Sequence, residues 1–211
     1  DTISGNEYAT DEQVWAIKDI VQDEPVKVST NWQQWRTDPA HSSIAPVGPS
    51  NLTVAWKYQT GGSVISSPTV SDDVVYFGST DTYIYAVDAW TGELYWKFKT
   101  DAPIESTVAI ANGWLYTGGD DGYVYCLNAQ TGALRWKTFV NGNLEFTFGN
   151  LVLKSSPAVA DGAVYIGSLD GHLYALDWNT GAILWKIQAK GPVQSSPAYA
   201  DGAVYFSAEE P

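Results

Sequence analysis

One cysteine and no methionine stand among the 211 residues. A lone thiol, Cys126, excludes an internal disulfide and a cysteine-based metal cluster. Basic residues are scarce as well: 11 Lys and Arg stand against 24 Asp and Glu, for a formal net charge of -13. Such a surface repels phosphate backbones and anionic headgroups, so no nucleic-acid partner is expected. The only two histidines, His41 and His172, are far apart and lack a nearby cysteine, which leaves neither a promising metal ligand. No apolar run approaches the roughly 20 residues that a membrane helix requires, so no transmembrane segment is expected either. The chain opens on Asp1 without a Met, as a processed product would.

What is abundant is aromatic and small: 13 Tyr, 10 Trp and 19 Gly beside only 17% charged residues. Aromatics suit a pleated surface and Gly supplies turns with positive φ, so the composition reads as β. The stretch AVDAWTGELYW, from Ala86 to Trp96, returns as CLNAQTGALRW from Cys126 and as ALDWNTGAILW from Ala175. Trp56, Trp96, Trp136 and Trp185 keep this beat in steps of 40, 40 and 49. A second marker, Ser66, Ser106, Ser155 and Ser195, runs in steps of 40, 49 and 40, so the nine extra residues fall between Trp136 and Ser155.

Inside each unit short apolar runs alternate with turns. Asn112-Gly113, Asp161-Gly162 and Asp201-Gly202 are the dipeptides that join twisted antiparallel strands. A third strand alternating Tyr with aliphatics follows, and a Thr-Gly turn leads into a fourth that carries the Trp. Four antiparallel strands in about 40 residues make a propeller blade. The fold expected is all-β: a β-propeller with three complete blades, Ser66 to Thr100, Ser106 to Phe139 and Ser155 to Ala189, and partial blades at both ends. Trp56, Trp96, Trp136 and Trp185 are read as wedges between blades, and Gly92, Gly132 and Gly181 as turn residues. Burial of one such indole contributes about 2 to 3 kcal/mol.

These runs resemble the blade signature of the pyrroloquinoline-quinone-like (PQQ-like) β-propeller repeat family, A-x-D-x-x-T-G-x-x-x-W. Ala86, Asp88, Thr91, Gly92 and Trp96 match it; so do Thr131, Gly132 and Trp136, with Cys126 and Asn128 replacing Ala and Asp; and so do Ala175, Asp177, Thr180, Gly181 and Trp185. The stretch Trp35 to Ser43 is similar to the lead-in before the first blade of secreted and lipoprotein members. The dehydrogenase branch of the family carries adjacent cysteines, a catalytic Asp, the quinone PQQ and calcium. With one Cys, this chain is closer to the non-catalytic branch of outer-membrane assembly lipoproteins and other secreted propeller proteins. The resemblance therefore implies a non-enzymatic, extracytoplasmic binding or assembly scaffold without a cofactor, whose partners are a protein or further copies of itself. A fragment of a PQQ-dependent oxidoreductase and a structural subunit of a cell-surface polymer, pairing by strand addition, are the alternatives.

Asp81, Asp121 and Asp170 recur in the turn before the third strand and could ring a cation, calcium included, or could simply make their turns. Phe139, Phe146 and Phe148, in and beside the insertion, and Trp90 and Trp178, in Thr-Gly turns that do without them in the middle blade, are the candidates for contact with a partner. Cys126 stands where other blades have Ala, as a small buried residue would. Asn51 opens a glycosylation triplet.

Residues 1–48 differ in kind and are read as an N-terminal extension, with 49–211 the propeller. Thr10 and Gln13 resemble a capping box, and Val14, Ile17, Ile20 and Val21 give an apolar helical stripe before Pro25, so a short amphipathic helix is expected. The blades do not close a ring. The expectation is the N-terminal portion of a larger ring, or a protomer completed by another chain.

Overall fold

The computed structural model describes residues 13–19, 52–140 and 153–209, and all regular structure among these is β. A two-stranded sheet of β1 (Gln13–Asp19) and β2 (Leu52–Gln59) comes first. The first blade is β3 (Thr69–Ser71), β4 (Val74–Gly78), β5 (Tyr83–Asp88) and β6 (Leu94–Lys99), antiparallel in sequence order. The second repeats it with β7 (Ala109–Ala111), β8 (Trp114–Gly118), β9 (Tyr123–Asn128) and β10 (Leu134–Phe139). The third does so with β11 (Ala158–Ala160), β12 (Ala163–Gly167), β13 (His172–Asp177) and β14 (Ile183–Gln188). A last pair, β15 (Ala198–Ala200) and β16 (Ala203–Tyr205), follows.

The turns follow from their residues. Asn112 and Gly113 have φ of 51° and 77°, the double positive φ that matches the twist of the strands they join. In the Thr-Gly turn, Asp88 Oδ1 accepts the N–H groups of Trp90 at 2.9 Å and Thr91 at 2.7 Å and the Thr91 hydroxyl at 3.0 Å. Asn128 and Asp177 accept the same three bonds in their blades, so an oxygen, not a charge, is what the turn needs.

Blades are joined by the tryptophans. A Cβ on Gly92, Gly132 or Gly181 would come within 2.8, 2.7 and 2.6 Å of the indoles of Trp56, Trp96 and Trp136, so each ring lies flush on the next blade's turn where only Gly fits. The indole N–H of each then donates into that turn: Trp56 to Ala89 O at 3.0 Å, Trp96 to Ala129 O at 3.0 Å and Trp136 to Trp178 O at 3.2 Å. At the hub, β3, β7, β11 and β15 adjoin in that order. A ladder of hydroxyls links them: Ser67 N–H to Thr107 Oγ1 at 3.1 Å, Thr107 N–H to Ser156 Oγ at 3.1 Å, and Ser156 N–H to Ser196 Oγ at 3.0 Å.

Two expectations need correction. Gln13–Asp19 is a strand, not a helix: β1 pairs with β2 throughout. Val14, Trp15 and Ile17 favour a pleated strand, and a single short helix is marginal in water, whereas β2 offers a full row of backbone partners. Thr10, Ile20, Val21 and Pro25 lie outside the described residues. Trp185 is not wedged: it is 38% exposed, against 8% for Trp56 and 9% for Trp136, because no Thr-Gly turn lies over it among the described residues.

The docking can be tested at Gly132. Gly132→Ala adds a clash with Trp96 to the cost of a positive φ, whereas Gly113→Ala, with open space around it, carries the φ cost alone. The expected losses are about 3 kcal/mol and about 1 kcal/mol, from urea midpoints at constant slope. Equal losses would refute the flush contact.

Candidate functional site

Asp81, Asp121 and Asp170 each hold a tyrosine hydroxyl and a backbone N–H of their own blade, and Asp81 also reaches the stretch after β2. Asp81 Oδ1 accepts the Tyr83 N–H at 3.1 Å, and Oδ2 accepts the Tyr85 hydroxyl at 2.6 Å and the Gly61 N–H at 2.8 Å. Asp121 takes the N–H of Tyr123 at 3.0 Å and the hydroxyl of Tyr125; Asp170 takes the N–H of His172 at 3.0 Å and the hydroxyl of Tyr174. Burial first, and the bonded aspartate second, raise the pKa of Tyr85 and Tyr125, so both phenols stay donors. No three His, Cys, Asp or Glu converge on a common point among the described residues. The carboxylates are thus placed as struts of the turn.

His172 Nδ1 lies 3.3 Å from Asp170 Oδ1, and its ring packs at 5.7 Å from that of Tyr174, so it too belongs to the turn. Cys126 is fully buried, and burial pushes its thiol up to about 12, far from a nucleophile's range. Phe139 ends β10, 41% exposed, with its ring 5.2 Å from Tyr123, and is thus a residue of the second blade. Phe146, Phe148, His41 and Asn51 lie outside the described residues. Trp90 stands out on the surface, while Trp178 is half-buried and faces a cavity between the second and third blades. That cavity is about 330 Å³ in volume and is lined by Asn112, Trp114, Tyr116, Arg135, Trp178 and Asn179.

Sequence reasoning missed two further features. The first is the apolar surface of β14, where Ile183, Leu184, Trp185 and Ile187 are all exposed; the counterpart in β10, Trp136, is buried by the next blade. The second is Asp120, beside Glu105 and Lys154 at the junction of the second and third blades. Its N–H donates to Pro103 O at 3.0 Å, and Lys154 Nζ pairs with Glu105 Oε2 at 3.2 Å. Its Oδ1 is buried without a hydrogen-bond partner. Burial first, and Glu105 second, raise its pKa to about 6, with Lys154 opposing. Lone aspartates next to a turn give no sequence signal of that kind, because the burial comes from the neighbouring blade.

A carboxyl raised in the folded state holds its proton where the unfolded chain, at 3.8, has released it. Stability therefore falls as pH rises from about 4 to about 6 and is level above that, as far as this group is concerned. Asp120→Asn is expected to raise the melting temperature at pH 7.5 and to leave it nearly unchanged at pH 3.5. An equal effect at both values would show that the carboxyl is not held back.

The geometry can be set beside known proteins. The chain matches the family described as outer membrane protein assembly factor BamB over residues 47–103, 80–152 and 146–210. No curated protein matches it. Among solved structures, BamB from Moraxella catarrhalis is similar with a TM-score of 0.64 at 22% identity, over 74% of this chain and 50% of that one. The quinohemoprotein alcohol dehydrogenase ADHIIG from Pseudomonas putida HK5 gives 0.68 at 23%, over 75% and 26%. Quinohemoprotein alcohol dehydrogenase from Comamonas testosteroni gives 0.65 at 24%, over 76% and 27%. The chain thus spans half or less of the length of each, and at these identities the likeness is one of fold. With its repeated Trp-on-Gly docking and a family match running through all its blades, the chain belongs to the PQQ-like β-propeller family of the outer membrane protein assembly factor BamB.

Proposed function

We propose that this chain acts outside the cytoplasm as a non-enzymatic propeller scaffold that binds a protein partner. One observation carries the reading: the polar groups that recur from blade to blade are spent on the blades themselves. Asp88, Asn128 and Asp177 hold the Thr-Gly turns, Asp81, Asp121 and Asp170 hold tyrosine hydroxyls, and the hub hydroxyls bond from one blade to the next. Side chains left over for contact stand on the outer strands and turns, where Trp90 and Phe139 are exposed. The family match and the likeness to BamB, an outer membrane protein assembly factor, support the same reading. The net charge of -13 keeps such a scaffold away from nucleic acid and anionic lipid surfaces.

The second reading, part of a PQQ-dependent oxidoreductase, draws on the similarity to two quinohemoprotein alcohol dehydrogenases. Calorimetric titration with PQQ in the presence of calcium, followed by a dye-linked assay with ethanol, separates the two. The scaffold predicts neither saturable heat nor dye reduction, and turnover would overturn it. A photo-crosslinking residue placed at Trp90 or Phe139 in the source cells is expected to give one discrete adduct with another envelope protein. A ladder of self-adducts would favour the polymer subunit instead.

A further inference from the structure

The cavity between the second and third blades gathers several departures of this chain from its own repeat. Trp114 stands where the other blades have Val74, Ala163 and Ala203; Arg135 where they have Tyr95 and Leu184; Trp178 where they have Ala89 and Ala129. These three positions lie far apart in sequence, on β8, on β10 and in the turn after β13, yet all three side chains line one space. The framework around them is the ordinary one. Tyr116 donates to Trp178 O at 3.2 Å as Tyr76 donates to Ala129 O at 3.2 Å, so the substitutions serve no different joining of the blades.

The chemistry of the lining narrows the ligand. Arg135 lies over the Trp114 ring, its guanidinium carbon 4.1 Å from the centroid, so one face of that indole is taken up by the guanidinium. In the first blade the equivalent Tyr95 is tied to Asp88; here Asn128 takes the place of that carboxylate, and Arg135 makes no ion pair among the described residues. The charge of Arg135 is felt at Asp177, the carboxylate that holds the turn of the third blade, so an acidic group stands beside the cavity as well. The whole protein, at -13, repels anions. A cation would have to compete with Arg135 for the face of Trp114. What remains is a neutral ligand with an apolar face for an indole and a rim of hydroxyls for the guanidinium and for the carboxamides of Asn112 and Asn179, which both donate and accept. A pyranose ring has that form, and about 330 Å³ holds one with part of its neighbour.

We propose that Trp114, Arg135, Trp178, Asn112 and Asn179 form a binding site for a neutral saccharide. This goes beyond the scaffold reading and stands whether or not a protein partner is found.

The test uses residues that other blades already carry, so the fold has a precedent for each change: W114V, R135Y and W178A. The intact chain is titrated by calorimetry with maltotriose, cellotriose and N,N′,N″-triacetylchitotriose, and with N-acetyl-L-phenylalanine as an anionic aromatic probe. At least one trisaccharide is expected to bind saturably, and each variant to weaken it about tenfold or more, with unchanged circular dichroism and melting temperature within a few degrees. V74W, at the equivalent position of the first blade, is expected to leave binding as it was. The proposal is overturned if no trisaccharide binds, if binding survives in the triple variant, or if only N-acetyl-L-phenylalanine binds.

Discussion

Everything in this molecule depends on a flat indole lying on a bare backbone. Trp56, Trp96 and Trp136 each cover a glycine of the following blade and bond to a carbonyl in the same turn. The contact joins two kinds of constraint at one place. The ring excludes water over a large apolar area, and the N–H fixes its rotation, so blade follows blade at one angle. The same glycine must also take a positive φ for its own turn, φ 70° at Gly132, so one residue serves the local bend and the long-range joint.

The hub solves a different problem. There the strands are only three residues long, and the residues that lead into them are small and polar. Small hydroxyls bridge the blades, each taking an N–H from the blade before it, from Ser67 through Thr107 and Ser156 to Ser196. Ser106 and Ser155 add a second set, donating at 2.9 Å to the carbonyls of Ser155 and Ser195. Buried polar groups are satisfied across the joint, which ties the blades without asking for volume.

Much of this could be read from the residues. The turns were legible because Asn-Gly, Asp-Gly and Thr-Gly carry their conformations with them, and the tryptophans because their recurrence once per blade fits a wedge better than a cofactor stack. The strand β1 was not, because Val14, Ile17, Ile20 and Val21 satisfy a helical stripe as well, and only the pairing with β2 settles which period counts. The candidate carboxylates were seen at the right positions, but their Tyr partners four residues on gave no warning that both oxygens would be occupied. The lining of the cavity was half seen: Trp178 stood out against Ala129, while Trp114 and Arg135 did not, since nothing in a linear comparison says that three odd residues meet.

The pairing of β1 with β2 has a significance beyond one extra strand. Ala16 faces Trp56, Ile17 faces Val54, and the irregularity falls between Ala16 and Ile17. In the first blade Ala86 faces Trp96, Val87 faces Leu94, and the irregularity falls between Ala86 and Val87. The leading pair is therefore the outer half of a blade, just as β15 and β16, in the register of β11 and β12, are an inner half. In each of these two pairs the strand that continues the blade pattern, β1 or β16, presents a row of main-chain amides that another strand can satisfy in register, a clasp that side-chain packing alone would not provide.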